Sequence, residues 1–227
     1  MERLDVVIPY KDNGSEELRY ALRSIENNLP HRNVYIIGDK PDWITNVTHI
    51  PMRQLSRKYT AVRNNIDIAC HDKHISNDFI LSNDDFFILR PIKHLNYHRG
   101  LVTEMMRYYG GVYYRGMQET RRLLKLSGID EPLSYELHIP MIINKQKKIE
   151  ASRLRSKRTQ KNIHLRTYYG NLYNVGGRKI KDVKVYNDKQ KLPKGSFMST
   201  TEQTFNGKAG EYIKQQFPNP SKYELPN

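Results

Sequence analysis

Asn83, Asp84 and Asp85 stand between two apolar runs, residues 79–81 and 86–89. Adjacent carboxylates between hydrophobic segments are costly unless something satisfies them. A divalent cation is such a partner, because Mg²⁺ and Mn²⁺ take hard oxygen ligands and keep positions open for phosphate oxygens. The stretch therefore reads as a metal-diphosphate site at the end of a central strand. The same residue types also suit a β-turn, and these three residues alone do not separate the two readings.

The segments before this stretch supply its frame. Residues 4–10 (Leu-Asp-Val-Val-Ile-Pro-Tyr) form a short apolar, β-branched run, the pattern of a buried strand. A loop follows over residues 11–14. Ser15 is a candidate helix N-cap, with Glu16 and Glu17 well placed for the helix dipole. Leu18, Ala21, Leu22, Ile25 and Leu29 keep helical spacing, and Pro30 ends the helix. Residues 33–38 read as a second buried strand, followed by Asp39. Strand, helix, strand at this spacing predicts a βαβ unit and a parallel sheet. A helix over residues 57–71, with Tyr59, Val62, Ile66 and Ala69 inward, leads to a third strand over residues 78–81. The expected fold class is α/β, a Rossmann-like, mostly parallel central sheet flanked by helices. Ligands of such sheets bind at the carboxyl ends of the strands. Residues 10–12, Asp39 and residues 83–85 all belong to that edge.

The rest of the chain is less regular. Residues 101–114 carry no assignable pattern. A helix is expected over residues 118–126, with Gly128 closing it. Residues 135–144 read as a strand entering a core, residues 168–177 as a mobile loop or lid, and residues 180–186 as a late strand. Residues 197–205 read as a turn leading into a helix, and the Pro-rich segment from Phe217 as extended.

Charge limits the partners. Lys and Arg number 38 against 24 Asp and Glu, a formal net charge of +14. Such an excess predicts a polyanionic partner: nucleic acid, an anionic membrane face or an anionic cell-wall polymer. The excess is densest over residues 145–166, where Glu150 is the lone acid. Charge runs are commonly solvated helix faces, but here the acids needed for i, i+4 pairing are missing. Lys147, Lys148, Arg153, Arg155, Lys157, Arg158 and Lys161 are therefore the expected phosphate-contacting, nucleic-acid-binding set. This divides the expected organisation into a nucleotide-binding core over residues 1–144 and a basic portion over residues 145–227 that completes the same domain. The single Cys70 excludes an intrachain disulfide. No run of residues is long and apolar enough to span a membrane, and no signal-peptide pattern is present. A soluble, cytoplasmic protein is expected, in the host cytoplasm if phage-encoded.

Four segments in this order resemble nucleotide-sugar glycosyltransferases of the GT-A fold: Asp5-Val-Val-Ile-Pro-Tyr10, Val34-Tyr-Ile-Ile-Gly-Asp39, Ala61-Val-Arg-Asn-Asn-Ile66 and Phe79-Ile-Leu-Ser-Asn-Asp-Asp85. The Asn-Asp-Asp-Phe-Phe run is also similar to the Stealth family of sugar-phosphate transferases, as are Glu136-Leu-His138-Ile-Pro140 and Tyr169-Gly-Asn-Leu-Tyr173. The GT-A resemblance implies roles. Pro9 to Asp12 would hold the nucleobase, with Tyr10 stacking on it. Asp39 would bind base or ribose, and Arg63 would steady the diphosphate or the acidic loop. Asn83, where an Asp is common, would bond the ribose. Asp84 would support the metal or bind the sugar, and Asp85 would be the metal ligand. The implied cofactor is Mn²⁺ or Mg²⁺, and the implied donor a UDP-sugar. For each residue a structural role stays open: Arg63 as an ion-pair partner, Tyr10 as core.

Glycosyl transfer requires charge neutralisation on the departing diphosphate, an aligned acceptor hydroxyl and, for inversion, a base. Glu136 and His138 lie two apart on the expected strand and so would share a face. Either is a candidate base and the other a metal or phosphate ligand, with His138 the candidate for the metal; polar residues on an outer strand face fit equally. His164 and Glu202 are further candidates. The basic charge fits a nucleic-acid acceptor, such as a hydroxymethylated pyrimidine in phage DNA that is flipped out of the stack. A cell-surface polymer such as teichoic acid is the alternative acceptor, and a nucleic-acid-binding protein without catalysis is the alternative function.

Overall fold

The first strand, β1 (Leu4–Tyr10), is buried along nearly its whole length, as a strand covered on both faces must be. The computed structural model of the chain describes residues 2–52, 58–159 and 161–226, with only the backbone of residues 58–60. Next come α1 (Glu17–Asn28), β2 (His31–Gly38), β3 (Thr48–Pro51), α2 (Lys58–His71), β4 (Asp78–Leu81) and β5 (Phe86–Ile88). Then follow β6 (Tyr97–His98), α3 (Val102–Met105), a 3₁₀ turn (Met106–Tyr108), α4 (Gly111–Lys125), β7 (Met141–Asn144), α5 (Lys145–Arg158) and α6 (Leu165–Leu172). The last elements are β8 (Arg178–Lys179), β9 (Lys184–Val185), β10 (Phe197–Thr200), α7 (Glu202–Phe205) and α8 (Lys208–Gln216).

The main sheet has five strands in the order β3-β2-β1-β4-β7. β1 is parallel to β2 and to β4, and β2 is parallel to β3. This is the expected α/β fold with a mostly parallel sheet. Leu18, Ala21, Leu22 and Ile25 of α1 are fully buried, so the helical spacing in the sequence marked the packed face correctly. Burying each of the Leu and Ile side chains stabilises by about 1.5–3 kcal/mol. Leu29 leaves the helix in an extended conformation, as a residue before proline is pushed to do. The Ser15 hydroxyl accepts from the Glu17 N–H at 3.2 Å, although Glu16 rather than the expected Ser15 holds the N-cap position.

A second sheet, β5-β10-β9, pairs β10 antiparallel with β5 and parallel with β9. Its packing on α1 has a specific polar component. Ile88 of β5 donates its N–H to Ser24 Oγ at 3.1 Å, and its carbonyl accepts from Asn28 Nδ2 at 2.7 Å. Ser24 and Asn28 are four apart on the inner face of α1, so one helix face satisfies both backbone groups. Phe87, Val185, Met198, Phe205 and Ile213 close the core here with Ala21.

The chain divides into two compact units: residues 1–95, 138–143 and 183–227, and residues 96–137 and 144–182. This differs from the expected boundary at 144, because residues 183–227 return to the first unit. The second unit holds the parallel pair β6 and β8, and its core gathers Leu123, Leu124, Ala151 and Tyr168. Other expectations need correction. The unassigned residues 101–114 contain α3, the 3₁₀ turn and the start of α4. Residues 168–177 are not a loop throughout: α6 runs through Leu172, with Tyr168 and Tyr169 buried. Burial of two aromatic rings outweighs the weak helix propensity of that Tyr/Gly/Asn stretch. Only Met141–Asn144 of the expected strand over 135–144 is extended in a sheet. Arg57, at the start of the expected second helix, lies outside the described residues, as does the side chain of Tyr59. No helix among the described residues is long and apolar enough to cross a membrane.

Candidate active site

A cavity of about 480 Å³ opens in the first unit, at the carboxyl ends of β1 and β4. Pro9, Tyr10, Asn83, Asp84 and Asp85 line it, all of them residues singled out from the sequence. The register explains the convergence. Tyr10 is paired with Gly38 and Val7 with Leu81, so the three strands end together. The loops beyond are tied to one another: the Asp39 N–H donates to the Tyr10 carbonyl at 3.1 Å, and the Asp12 N–H to Asp39 Oδ2 at 2.9 Å. Burial raises the pKa of the Tyr10 hydroxyl far above its usual value, and the negative charges of Asp12, Asp84 and Asp39 add to this. One hydroxyl thus feels acids from all three strand ends. Tyr10 itself is only 2% exposed, and its hydroxyl donates to Asp12 Oδ1 at 3.1 Å. Tyr10 is thus packed into the core and supports the loop while lining the cavity. Asp12, Asp39 and Arg63 are not among the lining residues of the cavity.

Asp85 sits in a set of contacts that the sequence did not announce. Its Oδ2 accepts from Lys184 Nζ at 2.7 Å and from Ser199 Oγ at 3.2 Å. Its Oδ1 is buried without a hydrogen-bond partner. Glu17, at the start of α1, also lines the cavity and accepts from Thr200 Oγ1 at 2.5 Å. Burial raises the Glu17 carboxyl above its usual range, and the Asp85 charge adds to this. Hydrogen bonds from Thr200 and Ser15 and the charge of Lys184 oppose it. The opposite wall includes Ala61, Val62 and Asn65 of α2. Asn65 donates to the Ile37 carbonyl at 3.1 Å, which leaves its buried Oδ1 without a partner. Thr201 and Glu202 complete the rim. Of these, only Glu202 was a candidate from the sequence. Lys184 lies in a lysine-rich stretch where no spacing marks one lysine from the next, and Glu17 reads as an ordinary helix-start acid.

The pair Glu136 and His138 does not form the expected face, because neither lies in a strand. Glu136 belongs to the second unit, where its Oε1 accepts from the Thr167 N–H at 3.0 Å. His138 belongs to the first unit and meets the rings of Phe86 and Tyr186 edge-on. The basic helix α5 also divides. Lys147, Arg153, Lys157 and Arg158, with Lys161 beyond its end, are exposed. Lys148 and Arg155 are buried, contrary to the expectation of a uniformly exposed set. Lys148 Nζ donates to Ser152 Oγ at 2.8 Å, and an Arg155 guanidinium N–H donates to the Lys161 carbonyl at 3.0 Å. Three- and four-residue spacing along the helix turns these two cations inward with Ala151.

The expected divalent ion does not fit the residues at Asp85. Mg²⁺ and Mn²⁺ need several oxygen ligands in regular geometry. One Asp85 oxygen already serves an ammonium and a hydroxyl, and the other is buried. Among the described residues, no group of three His, Cys, Asp or Glu side chains is placed to hold a metal. An ammonium held 2.7 Å from the carboxylate also repels a second cation at the same position.

Known proteins resemble this chain in structure. The galactosyltransferase LgtC, solved in complex with donor and acceptor sugar analogs, superposes with a TM-score of 0.57 over 99% of this chain and 98% of its own, at 10% identity. An active-site mutant of LgtC gives a TM-score of 0.53 at 9% identity, covering 99% of this chain and 98% of its own. Mouse xyloside xylosyltransferase 1, at a TM-score of 0.39 and 8% identity, covers 98% of this chain and 95% of its own, too distant a likeness to weigh. No protein-family profile matches the sequence, and no curated protein does. At these identities the likeness establishes the fold, which is of the GT-A glycosyltransferase type.

Proposed function

We propose that the chain is a glycosyltransferase that binds a nucleotide-sugar donor in the cavity at the ends of β1 and β4. The composition of that cavity carries the reading. Its volume of about 480 Å³ lies within the usual range for small-molecule sites. Pro9, Ala61 and Val62 give it an apolar wall suited to a base, while Asn65, Asn83, Asp84 and Thr200 offer partners for ribose and sugar hydroxyls. Its place at the carboxyl ends of parallel strands is where ligands of such sheets bind. LgtC, whose fold this chain shares, was solved with donor and acceptor sugar analogs, which supports the reading of a sugar-transferring enzyme.

The donor we infer is a uridine diphosphate hexose, with UDP-glucose first. Glu202, on the cavity rim, takes the place of Glu136 as the carboxylate for the acceptor proton. The acceptor we infer is a hydroxymethylated pyrimidine in DNA, as in a phage genome. The net charge of +14 and the exposed cations of α5 support a polyanion. The test is UDP release from UDP-glucose, with and without Mn²⁺, on duplex DNA containing 5-hydroxymethylcytosine and on unmodified DNA. Release with the modified duplex alone is expected. Equal slow release with both would move the acceptor to another polymer, such as teichoic acid, and no release under any condition would contradict the donor assignment. Asp84→Ala should abolish turnover and leave DNA binding unchanged.

A further inference from the structure

Lys184 reaches the cavity by strand register. β9 runs parallel to β10 and pairs Lys184 with Ser199. β10 in turn sets Ser199 against Phe86, the residue after Asp85. Two donors from neighbouring strands therefore converge on one oxygen of Asp85, at 2.7 Å for Lys184 Nζ and 3.2 Å for Ser199 Oγ. The Lys184 carbonyl accepts from Gln190 Nε2 at 2.8 Å, which steadies the strand from the other side. The Lys184 and Asp85 side chains are 16% and 17% exposed, and both residues line the cavity with Asn83 and Asp84. An ion pair serving stability alone gains little over apolar packing. This pair places a fixed positive charge at the wall where the acidic loop ends, and an ammonium has three donors, of which Asp85 occupies one.

We propose that Lys184 is the cation that meets the donor's diphosphate, so that donor binding and transfer require no divalent metal. The proposal rests on the nucleotide-sugar reading above. In the step it serves, a bond forms between the acceptor hydroxyl oxygen and the anomeric carbon. The bond from that carbon to the diphosphate oxygen breaks, and its electron pair leaves on the nucleoside diphosphate. The hydroxyl proton passes to a carboxylate and then to solvent. Lys184 bonds the phosphate oxygens as their negative charge grows, and Asp85 holds the ammonium in position.

Calorimetric titration of the full chain with UDP, GDP, ADP and CDP, each in EDTA and in Mn²⁺, tests this. One nucleotide is expected to bind with the same affinity within about threefold in both conditions. Lys184→Met is expected to weaken that binding about 30-fold or more, and Lys184→Arg to keep most of it. Thermal unfolding of each variant separates loss of the cation from loss of the fold, and the wild-type comparison needs no variant. Binding that appears only with Mn²⁺ overturns the proposal and leaves the nucleotide site standing. Unchanged affinity in a folded Lys184→Met also overturns it. No binding of any of the four nucleotides overturns the nucleotide-sugar reading itself.

Discussion

At the scale of single residues, the cavity combines acids whose surroundings differ. Asp85 is matched by Lys184, while Glu17 is buried, feels the Asp85 charge and is held up in its proton affinity. A carboxyl raised in the folded state stabilises the protein below its unfolded value, near 4.5, and loses that contribution as pH rises through the folded value. Glu17→Gln keeps an oxygen to accept from Thr200 and cannot ionise. The variant is therefore expected to match the wild type near pH 4.5 and to gain on it as pH rises above that value. Thermal unfolding across that rise checks this; a difference that shrinks with rising pH would contradict the assigned strain. The same substitution changes a cavity-lining group, so donor affinity is the second readout.

At the scale of elements, α1 organises the first unit from both ends. Near its start it brings Glu17 to the cavity, and along its length it holds the chain's last residues. Arg23 bonds Glu224 through two nitrogens at 2.8 and 2.7 Å, and Arg19 adds a third bond at 2.7 Å. The segment after Phe217 is thus pinned rather than loose, with Tyr223 and Glu224 buried. Burial alone would raise the Glu224 carboxyl, but bonds from Arg23, the Ser221 N–H and Arg19 bring it down to about 2. A depressed carboxylate stabilises above its unfolded value, near 4.5, and that contribution is lost as pH falls through about 2. Glu224→Gln leaves the Arg23 charge buried and should cost about 3 kcal/mol at neutral pH in urea unfolding. The two stability curves should converge between about pH 4.5 and 2. Close packing sets another limit: a Cβ on Gly210 of α8 would run into the Phe205 carbonyl. Gly210→Ala should therefore lower stability by about 1–3 kcal/mol, read as a lower denaturation midpoint.

The elements also show what the sequence made legible. β1 and β4 have the bounds their apolar runs predict, and α1 ends where Pro30 requires. Those signals are local. The ladder of β5, β10 and β9 is not local: its contacts to Asp85 span 99 residues from Lys184 and 114 from Ser199. No periodicity encodes such a register, so Lys184 and Thr200 stayed hidden while Asn83, Asp84 and Asp85 were plain. The inward turn of Lys148 and Arg155 was missed for a related reason. Cations at helical spacing look the same in sequence whether they face water or a neighbour.

At the scale of the whole molecule, the excess positive charge is concentrated in the second unit, with Arg153, Lys157 and Arg158 exposed on α5. If this surface holds nucleic-acid phosphates, the double substitution Arg153→Glu, Lys157→Glu should weaken DNA binding and flatten its dependence on salt by about one unit of slope per lost contact. Binding isotherms at several salt concentrations measure this, and an unchanged slope would remove α5 from the interface. In the other unit, the cavity at the ends of β1 and β4 is proposed to take the nucleotide sugar. Photolabelling with 5-azido-UDP-glucose, followed by peptide mapping, tests it most directly. Label on the segments that carry Pro9 and Lys11, Val62 and Asn65, or Asn83 and Asp84, competed away by unlabelled UDP, is the predicted result. Label confined to other segments, or label that UDP does not displace, would contradict it.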